Sequence, residues 1–277
     1  MNKWLKNLQK IEFVVTNACT GRCKHCSQGD HGPGSSPMGP RVEQAEQAAW
    51  AERAAQVVTR VTAHYPISTV MTFGGEPLLC PEVVCAIHAA ATAAGVPRRQ
   101  VITNGYFSKD QSRMKSMARD LAAAGVNDLL LSVDAFHQET IPLSVVMAFA
   151  EEALAAGIPL RLQPAWLVSP ADDNPYNQKT RALLAAFSPL SDKAGNPIPV
   201  GAGNVVFPDG NALRYLGEYF KDGAPPNPYV EDPRDVRCLS VEPDGSALNG
   251  NVFESDVLDV LRGYVPPADP TATGGAP

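Results

Sequence analysis

The chain has 277 residues, 44% of them hydrophobic and 19% charged, with a net charge of -6. That balance fits a soluble globular protein with a full core, and it argues against a nucleic-acid partner, which calls for a basic footprint. No apolar stretch approaches the roughly 18 residues of a membrane span, and the start Met1-Asn2-Lys3-Trp4-Leu5-Lys6 is followed by no apolar signal region, so a cytoplasmic protein with no membrane partner is expected.

The first strand candidate, 11–16, runs straight into Cys19-Thr20-Gly21-Arg22-Cys23-Lys24-His25-Cys26. In a cytoplasmic chain such thiols serve as ligands or buried groups rather than disulfides. Three thiolates in one short loop can converge on one inorganic centre and leave one coordination position for an outside ligand. A zinc site completed by His25 or a distant residue fits this pattern. So does an iron–sulfur cluster with one open iron. A zinc ribbon normally brings a second cysteine pair, and the distal cysteines here are Cys80, Cys85 and Cys238. The loop 29–40 that follows is rich in Gly and Pro.

An alanine-rich helix candidate covers 43–62, and the second strand, 69–73, ends in Gly74-Gly75-Glu76-Pro77. Two glycines at a strand end let backbone approach a ligand closely, and Glu76 offers an acceptor for an amino group. A plain Gly-Gly turn is the bland alternative. Cys80 and Cys85 flank the start of the next helix, 81–94, and read as buried small hydrophobes. The third strand, 100–103, leads to Asn104-Gly105, where Asn104 suits a turn as well as a site. After helix 111–124 the fourth strand, 128–133, carries Ser132 and is followed by Asp134, His137 and Glu139. Asp134 fits the cap of the turn behind it. His137 and Glu139 fit a substrate-facing loop or a solvated one equally. Helix 142–156 precedes strand 160–168, in which Gln163 is a polar residue between Leu162 and Pro164. A polar loop (169–177), a helix (178–187) and a weaker strand (200–207) complete the alternation. Repeated β-α units imply a parallel sheet with right-handed crossovers. Six of them fall short of a closed eight-fold barrel. The predicted fold is therefore α/β, a partial (β/α)6 parallel barrel with a short C-terminal extension.

The three-cysteine loop after the first strand, Gly74-Gly75-Glu76-Pro77 after the second, Thr103-Asn104-Gly105 after the third and Ser132-Val133-Asp134 after the fourth together resemble the radical S-adenosylmethionine (SAM) superfamily. The resemblance implies that Cys19, Cys23 and Cys26 hold one [4Fe–4S] cluster. It implies that SAM chelates the fourth iron and that Gly74, Gly75 and Glu76 bind the SAM amino group. Ser132 matches a position that contacts the SAM ribose or carboxylate, with Asn104 and Gln163 as further candidates. His25 is expected near the adenine. Reductive cleavage of SAM would yield a 5′-deoxyadenosyl radical that abstracts hydrogen from a substrate, fed by a one-electron donor such as flavodoxin or ferredoxin.

Past 207 the pattern breaks into Pro- and Gly-rich pieces. The run Pro208-Asp209-Gly210-Asn211-Ala212 resembles a Pro-x-Gly-Arg-Ala turn of radical SAM enzymes that modify peptides, with Asn211 in place of the arginine. Cys238 opens what resembles a SPASM-type extension, yet no cysteine follows it, so a second cluster is not expected. The expected division is a core over 1–207, a degenerate extension over 208–264 with a hairpin (240–247) and a helix (255–262), and a disordered tail over 265–277. The extension hints at a peptide or protein substrate. A small-molecule substrate and a zinc-stabilised binding module are the alternatives.

Overall fold

The computed structural model describes residues 2–27, 44–221 and 223–267; the loop 29–40 and most of the expected tail lie outside them. Five strands follow the predicted order: β1 (Lys10–Val14), β2 (Thr69–Phe73), β3 (Arg98–Thr103), β4 (Asp128–Ser132) and β5 (Leu160–Gln163). All pair in parallel with their sequence neighbours, as right-handed β-α units require. Between them stand α1 (Gln44–Thr62), α2 (Pro81–Ala93), α3 (Gln111–Ala123) and α4 (Leu143–Ala156), and α5 (Pro175–Ala185) follows β5 after the short strand β6 (Ala165–Trp166).

The strands alternate by face. Ile11, Phe13, Val70, Val101, Leu129, Leu131 and Leu162 are buried against the helices. Phe13 meets Trp50 of α1 with ring centroids 5.9 Å apart. The alternate residues face inward. Near the strand starts these are polar: Glu12 pairs with Lys10 at 2.6 Å, and Asp128 accepts from Gln100 at 2.7 Å and pairs with Arg161 at 3.0 Å. The lower lumen is thus plugged by paired charges, and the upper end is left for the loops.

Four elements differ from the sequence expectation. The long strand 160–168 breaks at Pro164, which has no N–H for the ladder. Its second part becomes β6 (Ala165–Trp166), paired with β7 (Asn204–Val205) in a separate two-stranded sheet. The weak sixth strand is therefore only β7 plus a bridge from Val200 to Leu162. Helix α5 starts earlier than predicted because the Asn174 side chain accepts from Asn177 N–H and Pro175 occupies the first turn. A helix not anticipated in the sequence, α6 (Gly210–Leu216), is capped by Asp209.

The sixth strand of the main sheet comes from the extension. β8 (Cys238–Val241) lies parallel to β1, giving the order β5-β4-β3-β2-β1-β8. The expected hairpin over 240–247 is displaced: the antiparallel pair is β9 (Ser246–Ala247) with β10 (Gly250–Asn251). Helix α7 (Val257–Gly263) then packs near α1. Leu239 and Leu261 are buried in the same core as Phe13, so the extension completes the core rather than hanging from it. Leu239→Ala is expected to cost about 2–5 kcal/mol, the usual range for a buried leucine truncated to alanine, read as a lower midpoint of urea unfolding. A change below about 1 kcal/mol would show that β8 is peripheral.

Candidate active site

The cysteine loop leaves β1 and is held against the end of β2 by backbone alone. Val15 N–H donates to Phe73 O at 2.8 Å, Gly75 N–H to Thr16 O at 2.7 Å and Glu76 N–H to Ala18 O at 2.8 Å. A Cβ on Gly74 would stand 2.5 Å from Thr16 O, and one on Gly75 would stand 2.1 Å from Ala18 O. The glycine pair is thus required first by the loop itself. Strand ladder, bends and loop form one continuous backbone contact.

Two further contacts fix the far side of the loop. Arg22 N–H donates to Thr140 Oγ1 at 3.1 Å, beside a surface pair of Lys24 and Glu139 at 3.2 Å that contributes little on its own. Asn211, buried in the first turn of α6, donates its backbone N–H to Cys26 O at 2.9 Å and its side-chain amide to Cys23 O at 3.2 Å. Asn211 therefore bridges the two carbonyls that bracket His25.

The three thiols are brought together. Burial is the main cause of the raised pKa values of Cys19 and Cys23, followed for Cys19 by the charge of Glu76 and for Cys23 by that of Asp134. Cys19 and Cys26 also raise Cys23 through their own charges. Cys19 is pushed up to about 12, so it is protonated in the protein alone. Gly21 sits between sulfurs: a Cβ there would lie 3.3 Å from Cys23 Sγ and 3.7 Å from Cys19 Sγ. Its N–H donates to Cys19 Sγ at 3.3 Å.

Glu76 is fully buried. Its Oε1 accepts from Thr103 Oγ1 at 2.7 Å and from Leu78 N–H at 3.0 Å, and its Oε2 accepts from Asn104 N–H at 2.8 Å. Burial pushes its carboxyl up to about 7, against the lowering effect of these donors. Asn104, buried, donates Nδ2 to Thr20 Oγ1 at 3.2 Å and to Cys19 Sγ at 3.5 Å.

Beyond β4, buried Asp134 accepts from Phe136 and His137 N–H, both at 2.9 Å, from Ala165 N–H at 3.1 Å and from His137 Nδ1 at 2.7 Å. The turn-capping expectation for Asp134 holds, and the same carboxylate orients His137. The His25 ring lies 4.8 Å from His137 and 5.0 Å from Phe136. Burial lowers the His25 pKa to about 4, which keeps the ring neutral. Ligand atoms of Cys23, His25 and His137 lie within 4.8 Å of one another.

Cys19, Cys23, Cys26, His25, Gly74, Gly75, Glu76 and Asn104 thus form one connected network. Ser132 and Gln163 stand side by side as a register pair at the ends of β4 and β5, on the inward face. A Cβ on Gly201 would fall 2.5 Å from Gln163 Oε1, so that amide is packed against the approach to β7. Gly21, Thr103 and Asn211 were not singled out as site residues in the sequence. Only Asn211 carried a signal, as the departure from an arginine. Three free thiols on one loop suit an iron–sulfur cluster, and the buried His25 Nδ1 and Gln138 Nε2 beside them lack protein partners among the described residues.

Residues 13–160, more than half of the chain, match the family model described as the Radical SAM superfamily. The chain is 33% identical over 154 residues to the GTP 3′,8-cyclase of Aeromonas hydrophila subsp. hydrophila, covering 53% of this chain and 42% of that protein. It is 25% identical over 231 residues to the probable GTP 3′,8-cyclase of Saccharolobus islandicus, covering 80% of this chain and 67% of that protein. The chain thus spans less than half the length of the first relative and about two thirds of the second. The solved structure of native anSMEcpe with bound AdoMet shares the fold, with a TM-score of 0.52 and 15% identity over 92% of this chain and 80% of that one.

Gly75→Ala places a Cβ where the backbone of Ala18 already lies, and Asn211→Ala leaves the Cys23 carbonyl short of a donor. Both variants are expected to expose the loop thiols, raising the rate at which a thiol reagent modifies Cys23, with the glycine variant the more affected. Unchanged rates in both would show that the loop is held by other contacts.

Proposed function

We propose that this chain, which belongs to the radical SAM superfamily, binds one [4Fe–4S] cluster through Cys19, Cys23 and Cys26 and cleaves SAM beside it. When bound, the cluster and SAM supply one-electron cleavage to methionine and a 5′-deoxyadenosyl radical that takes hydrogen from a substrate. The observation that supports the assignment of ligands is that Cys19 and Cys23 flank Gly21, with Cys26 close enough to couple to both by charge, on a loop pinned from three sides.

The chain's own residues then divide the work. The three thiolates leave one metal position to SAM. Gly74 and Gly75 set the depth of the loop, and Glu76 Oε2 has a lone pair beyond its bond to Asn104 N–H with which to accept from the SAM amino group. His25, neutral and held by Phe136 and His137, lines the adenine side. Ser132 and Gln163 offer polar groups from β4 and β5 to the ribose or carboxylate. A one-electron donor of the flavodoxin or ferredoxin class supplies the reducing equivalent. The names of the curated relatives support a small molecule of the nucleotide class as substrate. A peptide substrate rests on the C-terminal extension, that is, on the run 208–212 and the SPASM-like stretch from Cys238. A zinc-held binding module is the second reading, and the grouping of Cys23, His25 and His137 favours it, since the Asp134–His137 pair is a common support for a zinc-bound histidine.

The test is anaerobic reconstitution with iron and sulfide, reduction, and measurement of 5′-deoxyadenosine from SAM, alone and with GTP or a peptide mixture added as probes. One cluster per chain and SAM cleavage are expected, with both lost in Cys23→Ala. Full zinc occupancy without iron uptake would overturn the radical reading in favour of the zinc module.

A further inference from the structure

Asn104 lies in the row of expected SAM contacts, and its side-chain amide faces the cysteine loop. The direction is fixed by a group that can only donate. Tyr106 N–H lies 2.8 Å from Asn104 Oδ1, so that atom must be the amide oxygen and Nδ2 must face the cysteine loop. There the two amide hydrogens meet Thr20 Oγ1 at 3.2 Å and Cys19 Sγ at 3.5 Å. The backbone is fixed as well, because Asn104 N–H donates to Glu76 Oε2 at 2.8 Å. The residue is 4% exposed, so water does not compete for the sulfur from that side.

We propose that Asn104 is a positioning residue that raises the reduction potential of the cluster by donating a hydrogen bond to the Cys19 sulfur. The inference rests on the ligand assignment made above. Reduction adds negative charge that spreads onto the ligand sulfurs, and a fixed N–H dipole aimed at a sulfur stabilises the reduced form more than the oxidised one. Hydrogen bonds to sulfur are among the factors that set cluster potentials. Gly21 N–H, at 3.3 Å, acts on the same sulfur, so Cys19 receives two donors. The consequence is a cluster more readily reduced than one without these two donors.

The experiment is redox potentiometry followed by electron paramagnetic resonance on the reconstituted wild type, Asn104→Asp and Asn104→Ser. Asp keeps an acceptor for Tyr106 and replaces the N–H donor by a carboxylate oxygen. Ser is too short to reach Cys19. Both variants are expected to bind one cluster with a midpoint potential shifted below that of the wild type, further for Asp than for Ser. Equal potentials in all three proteins would overturn this proposal and leave the ligand assignment standing. Loss of the cluster from both variants would assign Asn104 to loading and overturn a tuning role. A wild type that takes up no cluster would overturn the ligand assignment and this inference with it.

Discussion

The contact on which the rest depends is the backbone seam between residues 15–18 and 73–76. It continues the β1–β2 ladder past the last paired residues, Val14 and Phe73, by three more hydrogen bonds. No side chain fits in it. The Cβ positions of Gly74 and Gly75 point into carbonyl oxygens that the loop cannot move without leaving the sheet. A loop tied in this way inherits the rigidity of the sheet, and preorganisation of a ligand-bearing loop is what lets three thiols meet one centre without an ordering cost at the moment of binding.

Glu76 shows how the seam is connected to the chemistry. A carboxylate taken fully out of water is costly unless its lone pairs are filled. Three donors, from Leu78, Thr103 and Asn104, occupy three of its four acceptor sites, and bonds to a charged acceptor are worth about 1.5–3 kcal/mol each. Thr103 and Asn104 stand at the end of β3, so one buried acid clamps β2 to β3 and fixes the backbone that carries Asn104. The path Glu76, Asn104, Cys19 is a sequence of direct hydrogen bonds. A residue read from sequence as a ligand for an amino group is therefore also a support of Cys19, the proposed cluster ligand. With one Oε2 lone pair still available, the two roles are compatible.

The alternation of short apolar runs with alanine-rich helices made the parallel sheet legible, because period and stop signals are local properties. Five strands and four helices fall within a few residues of expectation. The sixth position in the sheet was not legible. β8 pairs with β1 across more than two hundred residues, and nothing in Cys238-Leu239-Ser240-Val241 distinguishes a strand that turns back on itself from one that travels to the far edge. Pro164 did carry a local signal, a missing N–H, and it accounts for the break between β5 and β6. The cysteines and the glycine pair stood out as motifs. Thr103 and Asn211 lay within quoted motifs, but their roles were not legible there, since those roles arise from what the fold places opposite them: the Glu76 carboxylate in one case and a pair of carbonyls in the other.

The electrostatics of the loop explain why so many acids surround thiols that must ionise to bind metal. In the protein alone, burial and the charges of Glu76 and Asp134 keep Cys19 and Cys23 protonated. On the proposed ligand assignment, loading a cluster would exchange those protons for metal charge, so the thiolates would be offset by the iron and the Glu76 and Asp134 carboxylates would remain as the acids facing the site. Asp134 holds the pKa of His137 above the ordinary histidine value despite the burial of the ring. Buried acids beside the site would favour a cationic ligand, and SAM carries a sulfonium and an ammonium group. The same acids that oppose ionisation of the thiols before loading would then attract the cation that completes the site.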